Sequence, residues 1–533
     1  MSIEPVEPPI EQRTPDRAER FSLHVLQFGA LAIVFAVSGY KVFELDRFLV
    51  PKELVLHAIA VIAALFAFGA IRRVVLTRVD LLLLGFLVLG VVSVAAATNV
   101  WLGIRALAVS ASAVLVFWSA RGLGKAGLER PLLNAVAVAV VLACVTALVQ
   151  AYGVRLDLFA VDRAPGGTLG NRNFVGHAAA FGLPVVLLAA LRARRAAGSL
   201  AGVAGTGLVI ATLVLTRSRA AWIAAAAVIL VLFGALLVSP QLRRDGRTWR
   251  RLAVIVIACG AAIAAAMLIP NALRWRSDNP YLESVTGVVE YDEGSGRGRL
   301  VQYEQSLRMA ASDPIVGAGP GNWPVEYAAH AARHDPSLNP SEPGTTYNPW
   351  PSSDWIAFIS ERGFAAALLL GIAFVSMASG ALGRLRRESD ADQALQATAL
   401  LGTLAATALA GAFDAVLLLG LPALLVWTAV GALYESKLPP RAAPGRAIAV
   451  IAVIVMSAAG AARSATQLLA MDIYATRSDR ASLERAASID PGSYRVHLRL
   501  AKISRKQRCE HARAAHDLLP HAESARALAA GCR

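Results

Sequence analysis

Apolar residues along the chain fall into long runs that short polar loops separate. Each run has about the 17 to 22 residues that an α-helix needs to cross the hydrocarbon of a bilayer. The pattern predicts an all-α polytopic membrane helix bundle of about 12–13 transmembrane helices. The thirteen candidate spans are residues 22–39, 53–70, 80–97, 101–119, 131–151, 174–191, 200–216, 219–238, 252–269, 355–378, 394–411, 413–435 and 447–464.

The loops between these runs alternate in charge. Every second short loop is rich in arginine, and the positive-inside rule places those loops in the cytoplasm. The N-terminus is then inside, while the long loop 270–353 and the C-terminal tail are outside. We therefore expect a disordered cytoplasmic segment 1–21, a transmembrane domain 22–464 and a periplasmic tail 465–533.

The formal net charge of +15 is mostly this loop signal. A basic protein can bind nucleic acid, but such a surface interleaves its basic residues with stacking aromatics, and that pattern does not occur here. Nucleic acid is therefore not an expected partner.

The four cysteines divide by predicted compartment. Cys144 and Cys259 lie within spans, where a thiol is normally a small packing residue. Cys509 and Cys532 lie in the outer tail, where an oxidising periplasm could join them. Two unpaired thiols are the alternative.

Polar residues stand at the outer entrance of the sixth span. In the stretch Gly166–Pro184 a glycine-rich turn leads into that span, with Asn171, Asn173 and His177 at its start. The first free N–H groups of a helix attract anions. Gly and Asn are also what any tight turn into a helix uses, so this stretch alone is a weak signal.

A tight turn between the seventh and eighth spans, LTRSRAAW, carries Arg217 and Arg219. Arginine at a membrane interface usually extends to the lipid headgroups. Two guanidinium groups on so short a turn can equally hold a diphosphate through paired hydrogen bonds.

The long outer loop contains a third polar stretch, Gly294–Tyr327. Its first half predicts an amphipathic helix that carries Arg297, Arg299 and Tyr303. The following DPIVGAGPGNW forces a turn through its glycines and prolines. No strand precedes these glycines, which excludes a dinucleotide-binding fold.

The fourth polar stretch, NPWPSSDWIAFISERGF, runs from the outer loop into the tenth span. It places Asp354 and Glu361 on or near a face that should meet lipid or protein. A carboxylate there either caps the helix or takes part in chemistry.

In this order the four stretches resemble the O-antigen ligase and Wzy-type polymerase superfamily, over roughly residues 20–435. The resemblance implies a metal-independent GT-C-type glycosyltransferase, without a cofactor, in the bacterial inner membrane. Its donor would be a glycan on undecaprenyl diphosphate, and its acceptor a lipid, a glycan or a protein.

The resemblance also implies roles for individual residues. Arg219 and Arg299 would hold the donor diphosphate, because fixed cations in a poorly hydrated site stabilise the charge of a leaving group. The further donor-binding candidates are Arg217, Arg297, Asn171, Asn173 and Tyr303, and the structural candidates are Glu361, Gly363, Gly317, Gly319 and Gly321.

One position departs from the family pattern. Family members usually have a histidine nine residues before the glutamate, and counting back from Glu361 gives Ser352. A serine hydroxyl is a poor general base, so Asp354 is the first candidate to replace the histidine. The other candidates are His177, His330 and His334. A degenerate enzyme that only binds the lipid carrier is the alternative.

The outer tail shows four short helical patterns with small residues at regular spacing. They resemble, weakly, one and a half to two tetratricopeptide-type hairpins, which bind protein partners more often than they catalyse. A scaffold protein is therefore a second functional class. A transporter, the third class, should carry intramembrane charges, and only Asp414 approaches such a site.

Overall fold

The computed structural model of the chain describes most of its length. The described residues are 14–70, 76–161, 163–275, 280–286, 294–332, 334–387, 390–436, 446–504 and 506–532. Residues 1–13 of the segment predicted to be disordered lie outside them. The first helix begins at Arg17, five residues before the predicted start of the transmembrane domain.

The described residues form α-helices joined by loops, with a single isolated β-bridge between Leu338 and Thr346. The helices are α1 (Arg17–Phe35), α2 (Asp46–Ala70), α3 (Arg78–Ala95), α4 (Val100–Lys125), α5 (Glu129–Ala151), α6 (Arg172–Arg192), α7 (Ala196–Thr216), α8 (Arg219–Val238), α9 (Pro240–Arg244), α10 (Gly246–Leu268), α11 (Pro280–Thr286), α12 (Gly294–Ser312), α13 (Trp323–His330), α14 (Asp354–Arg387), α15 (Ala391–Phe413), α16 (Gly420–Leu433), α17 (Arg446–Thr476), α18 (Arg480–Ile489), α19 (Tyr494–Ile503), α20 (Arg508–Leu518) and α21 (Glu523–Ala530).

Twelve helices in the described part of the chain are long and apolar enough to cross a membrane. They are α1 to α8, α10, α14, α15 and α17. The prediction of an all-α polytopic membrane protein is confirmed.

The predicted span 413–435 differs from the others. The chain leaves α15 at Phe413 and becomes helical again only at Gly420, so that α16 has 14 residues. At 1.5 Å per residue this helix is about 21 Å long, short of the roughly 30 Å of hydrocarbon. Of the six non-helical residues between the helices, 415–417 and 419 are buried and the other two are half-buried, so this segment lies within protein, as non-helical backbone at membrane depth requires.

Helix α16 lies at the centre of the bundle, with every residue buried. Its sequence is apolar on all sides, as a helix surrounded by other helices requires. Small residues let the neighbouring α4 approach closely, since a Cβ on Gly431 would lie 2.5 Å from the Phe117 carbonyl oxygen.

The arginine-rich loops meet at one end of the bundle. Arg192, at the end of α6, pairs with Glu129 (3.3 Å) and Asp392 (2.5 Å), and Arg384 pairs with Glu435 (2.8 Å). Loops that the sequence places on one side therefore lie together. The opposite end carries the outer loop, and we refer to it as the loop end.

The C-terminal tail forms the four helices α18 to α21 and packs on the loop end. Tyr494 donates a hydrogen bond to Glu342 of the outer loop (2.7 Å), and Asn99 donates to the Leu518 carbonyl (3.1 Å). The tail and the outer loop therefore lie on the same side of the bundle.

Two pairs of side chains hold the tail helices to each other. A disulfide between Cys509 and Cys532 connects α20 to the chain directly after α21. Ring nitrogens of His497 and His511 lie 3.2 Å apart between α19 and α20. Burial and the neighbouring His511 ring lower the pKa of His497, which favours the neutral form of His497.

Candidate functional site

The glycine-rich turn of the outer loop docks onto a kink in α14. We call residues 313–323 together with 360–364 the glycine clamp. The N–H groups of Ala318 and Gly319 donate to the carbonyls of Ser360 and Glu361, each at 2.9 Å, and Phe364 donates back to Pro314 at 3.1 Å. These backbone bonds fix the loop against the transmembrane bundle.

Glycine is required at the kink of α14. Gly363 has φ 78° and ψ 166°, and a Cβ there would lie 2.2 Å from the Ile315 carbonyl oxygen. The clamp glycines Gly317, Gly319 and Gly321 also have positive φ. The glycines of this stretch thus allow the backbone of the turn to approach the backbone of the α14 kink closely.

Glu361 completes the clamp from the first half of α14. Its carboxylate accepts hydrogen bonds from the backbone N–H of Gly321 (2.8 Å) and of Trp323 (3.3 Å). The side chain is buried, and both oxygens are used within the protein. Glu361 therefore holds backbone and is not available to a ligand.

Asp354, the first residue of α14, is also fully buried. Its carboxylate accepts hydrogen bonds from the N–H of Val416 (3.0 and 3.1 Å) and of Leu417 (2.8 Å). These amides belong to the non-helical segment between α15 and α16. Asp354 therefore fixes the segment that carries Asp414.

Asp414 lies in a different environment. It is half-buried, and its carboxylate accepts hydrogen bonds from the Asn173 side chain (3.2 Å) and from the N–H of Ala415 (2.9 Å). Asn173 stands in the first turn of α6. Asn171 caps this helix, since its side-chain oxygen accepts a hydrogen bond from the backbone N–H of Asn173 at 3.0 Å. The entrance of α6 thus reaches the end of α15.

The amphipathic helix α12 reaches the same place. Its Tyr303 hydroxyl donates to the carbonyl of Ser352 (2.6 Å) and contacts that of Ala412 (3.1 Å), two residues before Asp414. The backbone of Ser352 is further held by Gln302, whose side chain accepts its N–H at 2.6 Å. The position of the family histidine is therefore fixed next to the end of α15.

His177 and Arg299 complete this group. His177 is 1% exposed, and neither ring nitrogen has a hydrogen-bond partner among the residues that the structure describes. The charges of Asp414 and of Arg299, one turn before Tyr303 on α12, both act on the ring. We refer to Asn173, His177, Arg299, Tyr303, Ser352 and Asp414 as the polar cluster.

A cleft of about 1060 Å³ opens beside the entrance of α6. Arg172 and Arg217 both lie over the ring of Trp275, at 5.3 and 4.6 Å from its centroid. Arg217 also donates to Ser284 (2.8 Å) and pairs with Glu283 (3.3 Å). The cleft further contains Arg155 and Arg274, so arginines outnumber acidic residues in its lining.

The remaining predicted residues stand near helix ends and in a loop. Arg219 begins α8, and Gly176 of α6 packs against the adjoining Ser218, with its Cβ position 3.0 Å from the Ser218 Cβ. Arg297 is exposed on α12. His330 ends α13 half-buried, and His334 is exposed in the loop after it.

Sequence reasoning missed several of the residues that form the site. Trp275 and Arg155 belong to no recognisable motif, and only the fold brings them to the cleft. Asp414 was noted for its depth in the membrane, but its contact with Asn173 joins positions 241 residues apart. The sequence signal that could have identified Asp414 as a site residue is a charged side chain at the end of an apolar run.

Comparison with known proteins gives one family match. The model of the family described as O-antigen ligase matches residues 204–371. This range includes the turn with Arg219, all of α12 and the glycine clamp. No curated protein matches the chain. The resemblance predicted from the ordered motifs is therefore confirmed as a similarity to this family over residues 204–371 of a multi-pass membrane protein.

Proposed function

We propose that this protein is a membrane glycosyltransferase that takes a glycan from a polyprenyl-diphosphate carrier and passes it to an acceptor hydroxyl in cell-envelope assembly. The observation that carries the proposal is the polar cluster, where the Asn173 side chain donates to Asp414 and the charge of Arg299 acts on the adjoining His177. The family match supports the reaction class.

The arginines support binding of the donor diphosphate. Arg219 and Arg299 remain the residues proposed to hold it, because cations fixed in a protein site stabilise charge that develops on a leaving group. Arg217 and Arg172 extend the positive charge into the cleft over Trp275. Guanidinium groups suit phosphate because they donate paired hydrogen bonds in a fixed plane.

The geometry of the two aspartates supports different roles. Asp354 uses its carboxylate on backbone amides, which suits a positioning residue. Each oxygen of Asp414 accepts one hydrogen bond, from Asn173 and from the N–H of Ala415, but the residue is half-buried, so unlike Glu361 it keeps accessible lone pairs that can take the proton of an acceptor hydroxyl. We therefore propose Asp414 as the base, while Asp354 as a base remains the prediction from sequence.

We further propose that the loop end faces the periplasm. The arginine-rich loops gather at the opposite end, as the positive-inside rule expects of cytoplasmic loops. A membrane-impermeant thiol reagent should label a cysteine at the exposed position Ser341 in intact cells, and should not label one at the exposed Arg195 of the opposite end. The reverse pattern would place the site in the cytoplasm.

The proposed function is tested by transfer in a purified system. Full-length protein in lipid nanodiscs is given a radiolabelled glycan on undecaprenyl diphosphate, together with the candidate acceptor from the same cell envelope. We expect a labelled product and released carrier diphosphate. An intact donor after prolonged incubation, with every acceptor class tried, would contradict the proposal.

A second candidate function follows from Ser352. Because the serine stands where the family has its histidine, the protein could bind the lipid carrier and recruit partners through the tail without transferring glycan. In that case donor binding should depend on Arg219 and Arg299, while no product forms.

A further inference from the structure

A second groove lies at the arginine end of the bundle, between α5, α6 and α7. It has a volume of about 860 Å³, within the roughly 300–1,000 Å³ range of ligand pockets in proteins. Its wall on α5 extends from Arg130 to Leu142, a length of about 18 Å at 1.5 Å per residue. This length is close to the thickness of one leaflet, about half of the 30 Å hydrocarbon.

The walls of this groove are apolar. Leucine, valine and alanine side chains of α5 and α6 form the sides. The facing stretch of α7 consists mainly of small residues, and Ala201 and Ala204 there are exposed. A groove of this shape accommodates an alkyl chain that lies along the helices.

The mouth of the groove is positively charged. Arg130, Arg192, Arg194 and Arg195 line it. The neighbouring acids Glu129 and Asp392 both pair with Arg192. Arg194 and Arg195 are exposed, and neither has an ion pair within the described part of the chain. Two guanidinium groups at the mouth therefore remain available to an anion.

Two further features prepare the mouth for a negative group. Arg247 and Arg251 of α10 donate hydrogen bonds to the Ala193 carbonyl, at 2.6 and 2.5 Å, and so hold the turn between α6 and α7. The first turn of α7 has no side-chain hydrogen-bond cap, and its residues Ala197 and Gly198 line the groove. Uncapped N–H groups at a helix start attract anions.

We propose that this groove binds an anionic phospholipid, with its phosphate at Arg194, Arg195 and the start of α7 and an acyl chain along α5 and α7. Basic pockets between membrane helices on the cytoplasmic side recognise anionic headgroups through these contacts. The groove is separate from the polar cluster, so its occupancy does not depend on the proposed transferase activity.

The test compares lipids that differ only in the headgroup. Full-length protein in detergent is titrated with phosphatidylglycerol or with phosphatidylcholine of the same acyl chains, and bound lipid is counted by native mass spectrometry. We expect wild-type protein to retain phosphatidylglycerol on the order of tenfold better. Arg194→Gln with Arg195→Gln should bring the ratio close to one. Equal retention of both lipids by the wild type would overturn the proposal.

A matched pair of arginines controls for general surface charge. Arg386 and Arg387 are exposed at the same end, at the end of α14, and do not line the groove. Replacing both with glutamine should leave the lipid preference unchanged. If this pair lowers the preference as much as the Arg194 and Arg195 pair, the attraction is not specific to the groove.

A second pair of variants tests the apolar part. Ala201→Phe fills the groove from an exposed position and should lower the retention of both lipids, whereas Ala264→Phe, at an exposed position of α10, should not. Inorganic phosphate at millimolar concentration should leave bound phosphatidylglycerol in place. Its displacement by phosphate alone, or equal retention by the two alanine variants, would show an anion site without a lipid groove.

Discussion

The glycine clamp and the polar cluster share one end of the bundle but use their polar groups differently. In the clamp, the carboxylate of Glu361 and the carbonyls around Gly363 all bond to backbone N–H groups. In the polar cluster, the ring nitrogens of His177 have no hydrogen-bond partner among the described residues, and Asp414 is half-buried. The clamp also holds two buried nitrogens without such a partner, on Arg362, but that side chain is fully buried, whereas Asp414 of the polar cluster is partly accessible.

This difference separates two kinds of motif residue. A buried group with every partner inside the protein stabilises the fold, because leaving such a partner unsatisfied costs about 1–3 kcal/mol. A partly accessible polar group that can still form further hydrogen bonds is not needed to satisfy buried backbone groups. Such a group is the better candidate for a catalytic role. On this criterion Asp354 is a structural residue like Glu361 of the clamp, although the sequence analysis made it the first candidate for the catalytic base.

The largest expected effect concerns the two arginines proposed to hold the donor. Arg219→Ala and Arg299→Ala should each lower glycan transfer by about 10²- to 10³-fold, because removing one preorganised charge contact typically costs this much. The double variant should show no detectable product. Transfer of labelled glycan in nanodiscs is the measurement.

Arg308 provides the matched control for Arg299. It lies on the same helix α12, is exposed, and pairs only with Glu304 one turn away at 2.5 Å. Arg308→Ala should therefore leave transfer unchanged. Equal losses for Arg299→Ala and Arg308→Ala would mean that α12 contributes through general charge or folding, and the polar cluster would lose its main cation.

The comparison of Asp414 with Asp354 is expected to give the next largest effect. Asp414→Asn should lower the transfer rate at least about tenfold without changing thermal stability, since it removes a positioned base. Asp354→Asn should instead lower the melting temperature, because the NH2 group that replaces one carboxylate oxygen cannot accept a hydrogen bond, and the remaining neutral oxygen accepts more weakly from the backbone amides at 416 and 417.

The opposite outcome is equally informative. If Asp354→Asn abolishes turnover in protein of normal stability while Asp414→Asn is active, the base is the residue predicted from sequence. The choice of Asp414 over Asp354 as the base, which rests on the hydrogen bonds that already occupy Asp354, would then be wrong.

The sequence was sufficient to predict the bundle because apolar run length determines whether a helix can cross a bilayer. Twelve runs became helices of sufficient length. The exception is the run 413–435, whose apolar composition gives no sign that residues 414–419 leave the helix. That break depends on the Asp354 carboxylate, 62 residues away, which supplies partners to the amides.

The candidate site was predictable only where a motif is local. The glycines of the clamp stand out because a GxGxG spacing favours positive φ. The contacts of Asp414 with Asn173 and of Arg172 with Trp275 join distant segments, and no local pattern encodes them.

The clamp itself is tested by adding a single methyl group. Gly363→Ala should destabilise the protein by about 1–3 kcal/mol from the backbone conformation alone, with a further cost from the contact with the Ile315 carbonyl. Gly371→Ala in the same helix is the control, since no atom lies within 4 Å of its Cβ position. Equal melting temperatures for the two variants would show that the kink is not required.

The smallest effect is expected at the position of the family histidine. Ser352 is held by its backbone, through Gln302 and Tyr303, so removal of the hydroxyl in Ser352→Ala should change transfer by no more than about twofold. Ser352→His places an imidazole on the same fixed backbone next to the end of α15. Because an imidazole is a far better base than a hydroxyl at neutral pH, a faster rate would indicate an enzyme of the usual family type that has lost its strongest base. An unchanged rate in Ser352→His, together with a loss in Asp414→Asn, would show that the polar cluster supplies the base by itself. A large loss in Ser352→Ala would contradict both readings, because it would make the serine hydroxyl part of the reaction.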